Sequence, residues 1–265
     1  MDIMQQPKHR EDPLSWIPRI LTKLYSLWVS ATYPFLSLGS NLSIHYSCDM
    51  KRSVAHRLHL GNSVYIAKDA WLNVTMAREC EGPAIVLGDR CVVARRSMIS
   101  AKNRICLEQD VILSASVLIM DHAHAYEDVS LPIEQQGVTE GGTIRIEQGC
   151  WIGHGAAIVC NGGELVIGKN SVIAANALVT RSVPPYSVVS GNPGRVLKQF
   201  DPVQKKWVLG SARPPIGERS QNDVAQRPPA PAVVPPQDQQ DDVQCATAVS
   251  CVGGAGADAV PVVNS

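Results

Sequence analysis

Two histidines two residues apart, His122 and His124 in the stretch MDHAHAYEDVSLP, are the groups in this sequence best suited to chemistry. Imidazole has an unperturbed pKa near 6.5, so it takes and returns protons at neutral pH. That suits it to deprotonate an alcohol, a poor nucleophile until its proton leaves as attack proceeds. The same ring is also a zinc ligand, and His154 would be the nominal third member of such a set. Asp121, directly before the pair, can orient an imidazole, and a backbone carbonyl can do so equally well. Cys91 and Cys150 are read as small apolar fillers rather than nucleophiles, for the reason that follows from the repeat.

An aliphatic residue recurs every six positions in five sets, beginning with Leu60, Ile66, Leu72 and with Leu87, Val93, Ile99. Leu107, Leu113, Ile119 follow, then Ile146, Ile152, Ile158 and finally Ile167, Ile173, Val179. The next residue is often Gly or Ala. Four places on stands a mostly small one: Ala70, Cys91, Ser97, Cys150, Ala156, Ser171, Ala177. Six residues make one flat side of a triangular coil and eighteen make a turn, so the aliphatic residues stack at about the 4.8 Å strand spacing. The second inward position must be small because the prism is narrow. Gly and Asn near the corners accept the dihedrals that corners need.

The register breaks at three places: two surplus residues near Ile105–Cys106, an excursion from about His122 to Arg145, and a three-residue surplus in Asn161–Leu165. A solenoid absorbs insertions at its corners, where they become loops on one face. The excursion is too long for a mere connector. The expected organisation is a head at 1–58, the coiled domain at 59–200 with its loop 122–145, and an extension at 201–265. Pro, Gln, Ala and Val dominate the extension from 210, which is expected to be mostly disordered. Cys245 and Cys251 lie in it.

Composition agrees. The 265 residues include only two Phe, and Val, Ile, Leu and Ala carry the apolar content, which favours strands. The 24 basic residues equal the 24 acidic ones. No overall pull toward nucleic acid follows, and any anion site must be local. The polar N-terminus carries no secretory leader, so the eight cysteines read as reduced and the chain as cytoplasmic. In the head, Ile17, Ile20, Leu21, Leu24, Leu27 and Trp28 follow helical spacing, too short and too charged to span a bilayer. Such a helix packs on its own domain, on a neighbouring subunit, or on the inner membrane face as a peripheral contact.

The stretches GCWIGHGAAIV and IGKNSVIAANALVTRSVPPYSVVSGNPGRVLKQF resemble the closing coils of the hexapeptide-repeat acyltransferases. Over residues 58–200 the chain is most similar to the maltose/galactoside and polysaccharide O-acetyltransferase branch. The resemblance implies an all-β fold, a left-handed parallel β-helix, with a short N-terminal helix. It also implies a homotrimer with three sites between subunits, acetyl-CoA as acyl donor, no metal, and a histidine as general base. Carried over by position, the base falls on His124, with His122 the alternative, and Ala125 stands where many relatives have Pro or Gly. Gly155 and Ala175 match positions whose backbone approaches the pantetheine arm. Thr180 and Arg181 match a Thr-Lys pair, and Arg195 and Lys198 a basic pair, that meet coenzyme A phosphates. Trp151 matches a wall of the acceptor cleft. Sugar-acetylating relatives carry Asn or Asp one coil before the base. Here the stretch is Ala94-Arg95-Arg96, so Arg95 and Arg96 either face an acidic sugar or phosphate or form a solvated corner. The head does not match the helical N-terminal domain of the maltose branch.

The expected activity is therefore O-acetyl transfer to a sugar or glycan hydroxyl. The rivals are amino-sugar N-acyl transfer, a non-catalytic β-helix scaffold, and zinc chemistry of the carbonic-anhydrase kind.

Overall fold

A computed structural model describes residues 16–75 and 82–210. The expected extension beyond 210, with Cys245 and Cys251, lies outside the described residues.

The chain forms a left-handed parallel β-helix of three flat faces. The first face stacks Ser37–Leu38, Leu58–Leu60, Ile85–Leu87, Arg104–Leu107, Gly141–Ile146 and Gly162–Ile167. The second stacks Ser43–Ile44, Tyr65–Ile66, Val92–Val93, Ile112–Leu113, Trp151–Ile152, Val172–Ile173 and Ser187–Ser190. The third stacks Asp49–Met50, Trp71–Val74, Met98–Ala101, Leu118–Met120, Ala157–Val159 and Leu178–Val179. Neighbouring coils pair in parallel with no slip, for example Leu60 with Leu87 and Leu87 with Leu107. Every aliphatic residue of the five expected columns is buried, and so are the small inward residues, Cys91 and Cys150 among them. Burial pushes both thiols up to about 11 from an ordinary 9.0, so at neutral pH they are neutral fillers.

Coiling begins earlier than the expected boundary at 58, because the strands at 37–50 already form a turn. Past 200, Arg195–Asp201 and Lys206–Leu209 add two antiparallel strands to the second face. Phe200 packs between Tyr186 and Trp207, with ring centroids 6.4 and 5.7 Å away. This closing hairpin takes the ladder groups that the last coil would otherwise leave unpaired.

The three edges differ. On the first edge the strands are always joined by four residues (39–42, 61–64, 88–91, 108–111, 147–150, 168–171), and on the second likewise (45–48, 67–70, 94–97, 114–117, 153–156, 174–177). The third residue of each described corner from the second coil onward is left-handed: Ser63, Arg90, Asp110, Gly149 and Asn170 on the first edge, Asp69, Arg96, Ser116, Gly155 and Asn176 on the second. Arginine, serine and aspartate therefore stand where Gly and Asn were expected. A non-glycine residue there costs about 1–2 kcal/mol. The cost is offset because most of these residues donate the backbone N–H to a carbonyl of the coil before, as Arg96 does to Lys68 and Asn176 to His154.

Among the described residues the surplus length falls on the third edge, in the segments 51–57, 102–103, 121–140, 160–161 and 180–182. The long excursion is thus 122–140 rather than 122–145, since Gly141–Ile146 is already strand. The two-residue surplus lies at Lys102–Asn103 rather than at Ile105–Cys106, which are inside a strand.

The N-terminal helix, Trp16–Thr32, covers the open first coil. It does so with its small and polar side. Ser26 Oγ donates to Thr22 O at 2.7 Å and accepts from Ile44 N at 2.8 Å, taking the place of a preceding strand for that N–H. Val29 is buried beside it. The apolar stripe, in contrast to the first of the expected placements, does not pack on the domain. Trp16, Ile17, Ile20, Leu21, Leu24, Leu27 and Trp28 all face outward, Trp16 being 64% exposed and Trp28 53%.

Candidate functional site

Where the third face ends, Asp121 and His122 are buried, at 0% and 7% exposure. The surplus pair Lys102–Asn103 turns three backbone N–H groups inward there, and the Asp121 carboxyl collects them. Oδ1 accepts from Lys102 N at 2.7 Å, and Oδ2 from Asn103 N and Arg104 N at 2.9 Å each. His122 Nδ1 bonds the same carboxyl at 2.9 Å, and its Nε2 lies 3.3 Å from Thr75 Oγ1. Both ring nitrogens of His122 are therefore engaged. Of the two orienting groups the sequence left open, the Asp121 carboxyl orients a ring, and that ring is His122.

His124 differs. It leaves the coil on an ordered hairpin in which Ala123 and Ala125 pair with Thr139 and Gly137, and His124 itself bridges Val138. Ala123 N also donates to Thr139 Oγ1 at 3.1 Å. Beneath it, the buried Lys102 reaches up so that Nζ donates to the Thr139 carbonyl at 2.5 Å. Farther out, Gln136 Nε2 ties Asp128 O at 2.7 Å and Leu131 O at 3.0 Å. The His124 side chain is exposed, and among the described residues its ring has no hydrogen-bond partner. The arrangement is a fixed base carrying one free imidazole.

The expected binding residues fall in three other places. Arg95, Arg96, Gly155 and Ala175 share the second edge, where the arginine side chains are exposed and neither is paired among the described residues. At Gly155 (φ 66°) an added Cβ would meet the end of the Asn176 side chain, Oδ1, at 2.3 Å. Trp151 stands on the outside of the second face in register with Ile112 and Val172, and its Nε1 donates to Ser114 Oγ at 2.9 Å. Thr180, Arg181 and Arg195 line one cavity of about 660 Å³ at the end of the coil, together with Pro184 and Gln199. Lys198 is on the same strand as Arg195 and Gln199 but does not line that cavity.

Within one chain, then, the imidazole is on the third edge and the small-residue track on the second. His154 sits on the second edge too, away from His122 and His124. Among the described residues no group of three or more His, Cys, Asp or Glu could hold a metal ion. Sequence reasoning missed Lys102, Thr75 and Thr139. The one signal for them was the two-residue surplus, which implied unpaired N–H groups needing an acceptor.

No family model matches the chain. It is 27% identical over 176 residues to a probable acetyltransferase of Mycobacterium tuberculosis, covering 66% of this chain and 53% of that one. It is 24% identical over 115 residues to an Escherichia coli protein named for O-acetyl transfer in lipopolysaccharide biosynthesis (41% and 57%). A yeast protein named as an acetyltransferase is 29% identical over 119 residues (45% and 58%). The chain thus spans somewhat more than half the length of these three curated relatives. Among solved structures, a variant of AntD, an N-acyltransferase from Bacillus cereus in complex with dTDP and coenzyme A, superposes with a TM-score of 0.54. The identity is 18%, with 68% of this chain and 90% of that one covered. The chain has the left-handed β-helix of that acyltransferase, and the curated proteins it resembles are named acetyltransferases.

Proposed function

We propose that this protein is an acyltransferase, of the class that transfers groups other than amino-acyl groups, and that it moves an acetyl group from acetyl-CoA to a sugar or glycan hydroxyl. The observation that carries the reading is His124, an exposed imidazole on an ordered hairpin above a buried anchoring network. In a ternary complex His124 takes the hydroxyl proton as the oxygen attacks the thioester carbonyl. Backbone N–H groups hold the oxyanion. The C–S bond then breaks, and the coenzyme A thiolate leaves with the proton that the imidazolium returns. Such a base contributes roughly 10²–10⁴-fold when correctly placed. His122 is the alternative base, and its ring is already bonded at both nitrogens.

The cofactor assignments follow the same reading. Gly155 and Ala175 offer bare or small backbone to the pantetheine arm. Arg181 and Arg195, with Thr180, offer charge-assisted hydrogen bonds to phosphates beside the 660 Å³ cavity, and Lys198 adds charge nearby. Trp151 walls the acceptor side, while Arg95 and Arg96 suit an acidic sugar or phosphate. No metal enters the scheme. Base and pantetheine track lie on different edges of one prism, which supports a homotrimer whose sites are completed between subunits.

A second reading, amino-sugar N-acyl transfer, is favoured by the AntD fold and differs only in the acceptor. We place the reaction in the cytoplasm. Thermal unfolding with and without acetyl-CoA tests the proposal. Ligand at about one hundred times its dissociation constant adds roughly 2.7 kcal/mol, a rise of a few degrees. Release of free thiol with hydroxyl but not amino sugars then selects O-transfer. No shift at millimolar acetyl-CoA contradicts the reading in favour of a scaffold.

A further inference from the structure

The N-terminal helix is turned inside out. At about 100° per residue its outward side chains, from Trp16 through Leu24 to Trp28, fill a continuous arc of about 140° that holds no polar residue. The opposite side, with Ser26 and Val29, already serves the coil. Trp16 stands at one margin of the arc and Trp28 close to the other, and Arg19 and Lys23 follow one another beside the Trp16 margin. The helix contains no acidic residue. Under that basic margin lies a cavity of about 390 Å³ lined by Arg19, Lys23, Asn41, His45 and Tyr65. Among the described residues no helix is long and apolar enough to cross a membrane.

We propose that this helix docks the protein on the surface of an anionic phospholipid bilayer, with the arc sunk to the acyl boundary and a lipid phosphate received in the cavity beside Arg19 and Lys23. An apolar arc of this width, tryptophans toward its two sides and cations at one margin are what a helix lying in the headgroup plane requires. A twofold contact between two such arcs fits less well, because it brings two cationic margins together. The placement is independent of the acyl-transfer reading, since it uses none of the residues assigned to that site.

The test is sedimentation of the full chain with vesicles of phosphatidylcholine, alone or mixed with phosphatidylglycerol. Binding is expected to the mixed vesicles and to weaken with added salt. Lys23→Glu and Leu24→Ser are each expected to lower the partition coefficient about tenfold or more. Both side chains are exposed, so unchanged thermal midpoints show that the variants still fold. Three results would overturn the proposal. One is no sedimentation with mixed vesicles at low salt. Another is equal binding by the parent and both variants. The third is light scattering in which Leu24→Ser dissolves a larger assembly of this chain while vesicles capture neither form.

Discussion

The second and third edges of the prism enclose the same stacked core and follow opposite rules. Every second-edge corner is four residues long with its third residue left-handed, from Asp69 to Asn176. The third edge carries connections as short as 102–103 and as long as 121–140. The ladder explains the contrast. On the second edge the first residue of a corner donates its N–H to the coil after and the third to the coil before, as Ser114 donates to Ile152 and Ser116 to Arg95, so an added residue would break bonds on both sides. On the third edge an inserted loop must find its own partners. The 121–140 insertion does so through the Ala123–Thr139 and Ala125–Gly137 pairs and the Asp121 carboxyl. One edge is therefore free to carry an exposed base, and the other supplies an unvarying track.

The sharpest way to break this contrast is to insert Gly-Ser on each edge. Between Arg95 and Arg96 the insertion should cost about 4 kcal/mol or more, the range of a broken buried network. Between Val129 and Ser130 it should cost about 1 kcal/mol or less, because lengthening a loop is cheap in entropy. Urea midpoints of the two insertants measure the difference. Equal losses would dissolve the distinction between the edges.

Asp121→Ala should be next in size. It strands three backbone N–H groups and the His122 ring, at a cost of about 3–5 kcal/mol. Asp121→Asn keeps one acceptor oxygen and should cost less. Urea denaturation of both variants orders them.

The smallest effect separates the core from both edges. At neutral pH the Cys91 and Cys150 thiols are protonated in folded and unfolded chain alike. Above 9.0 the unfolded chain ionises first, while the buried thiols hold out to about 11. Stability should therefore fall as pH rises from 9 toward 11, by about 2 kcal/mol per thiol. In Cys91→Ala/Cys150→Ala that slope should flatten, as thermal midpoints against pH would report.

The columns were legible in the sequence because a narrow prism admits little beyond a stacked aliphatic and a small partner, and all five sets are buried. The loops were legible as register breaks. The exact site of the two-residue surplus was not. Any slip between Ile99 and Leu107 leaves both in register, and the group that fixes it, Asp121, lies in the following coil. The helical stripe was legible, but its direction was not, since protein and lipid impose the same three-to-four spacing. Arg90 and Arg96 at left-handed corners ran against propensity, because inter-coil hydrogen bonds outweigh a cost of about 1–2 kcal/mol. Which imidazole stays free was hidden as well, since it depends on Thr75, which lies 47 residues from His122.

The most direct test compares acetyl transfer by His124→Ala and His122→Ala, with coenzyme A binding followed by calorimetry in both. The account predicts that His124→Ala loses about 10²–10⁴-fold in turnover while binding coenzyme A as the parent does. It predicts that His122→Ala is impaired chiefly in stability. Normal turnover by His124→Ala, or its selective loss in His122→Ala with stability intact, would contradict the assignment of the exposed imidazole as the base.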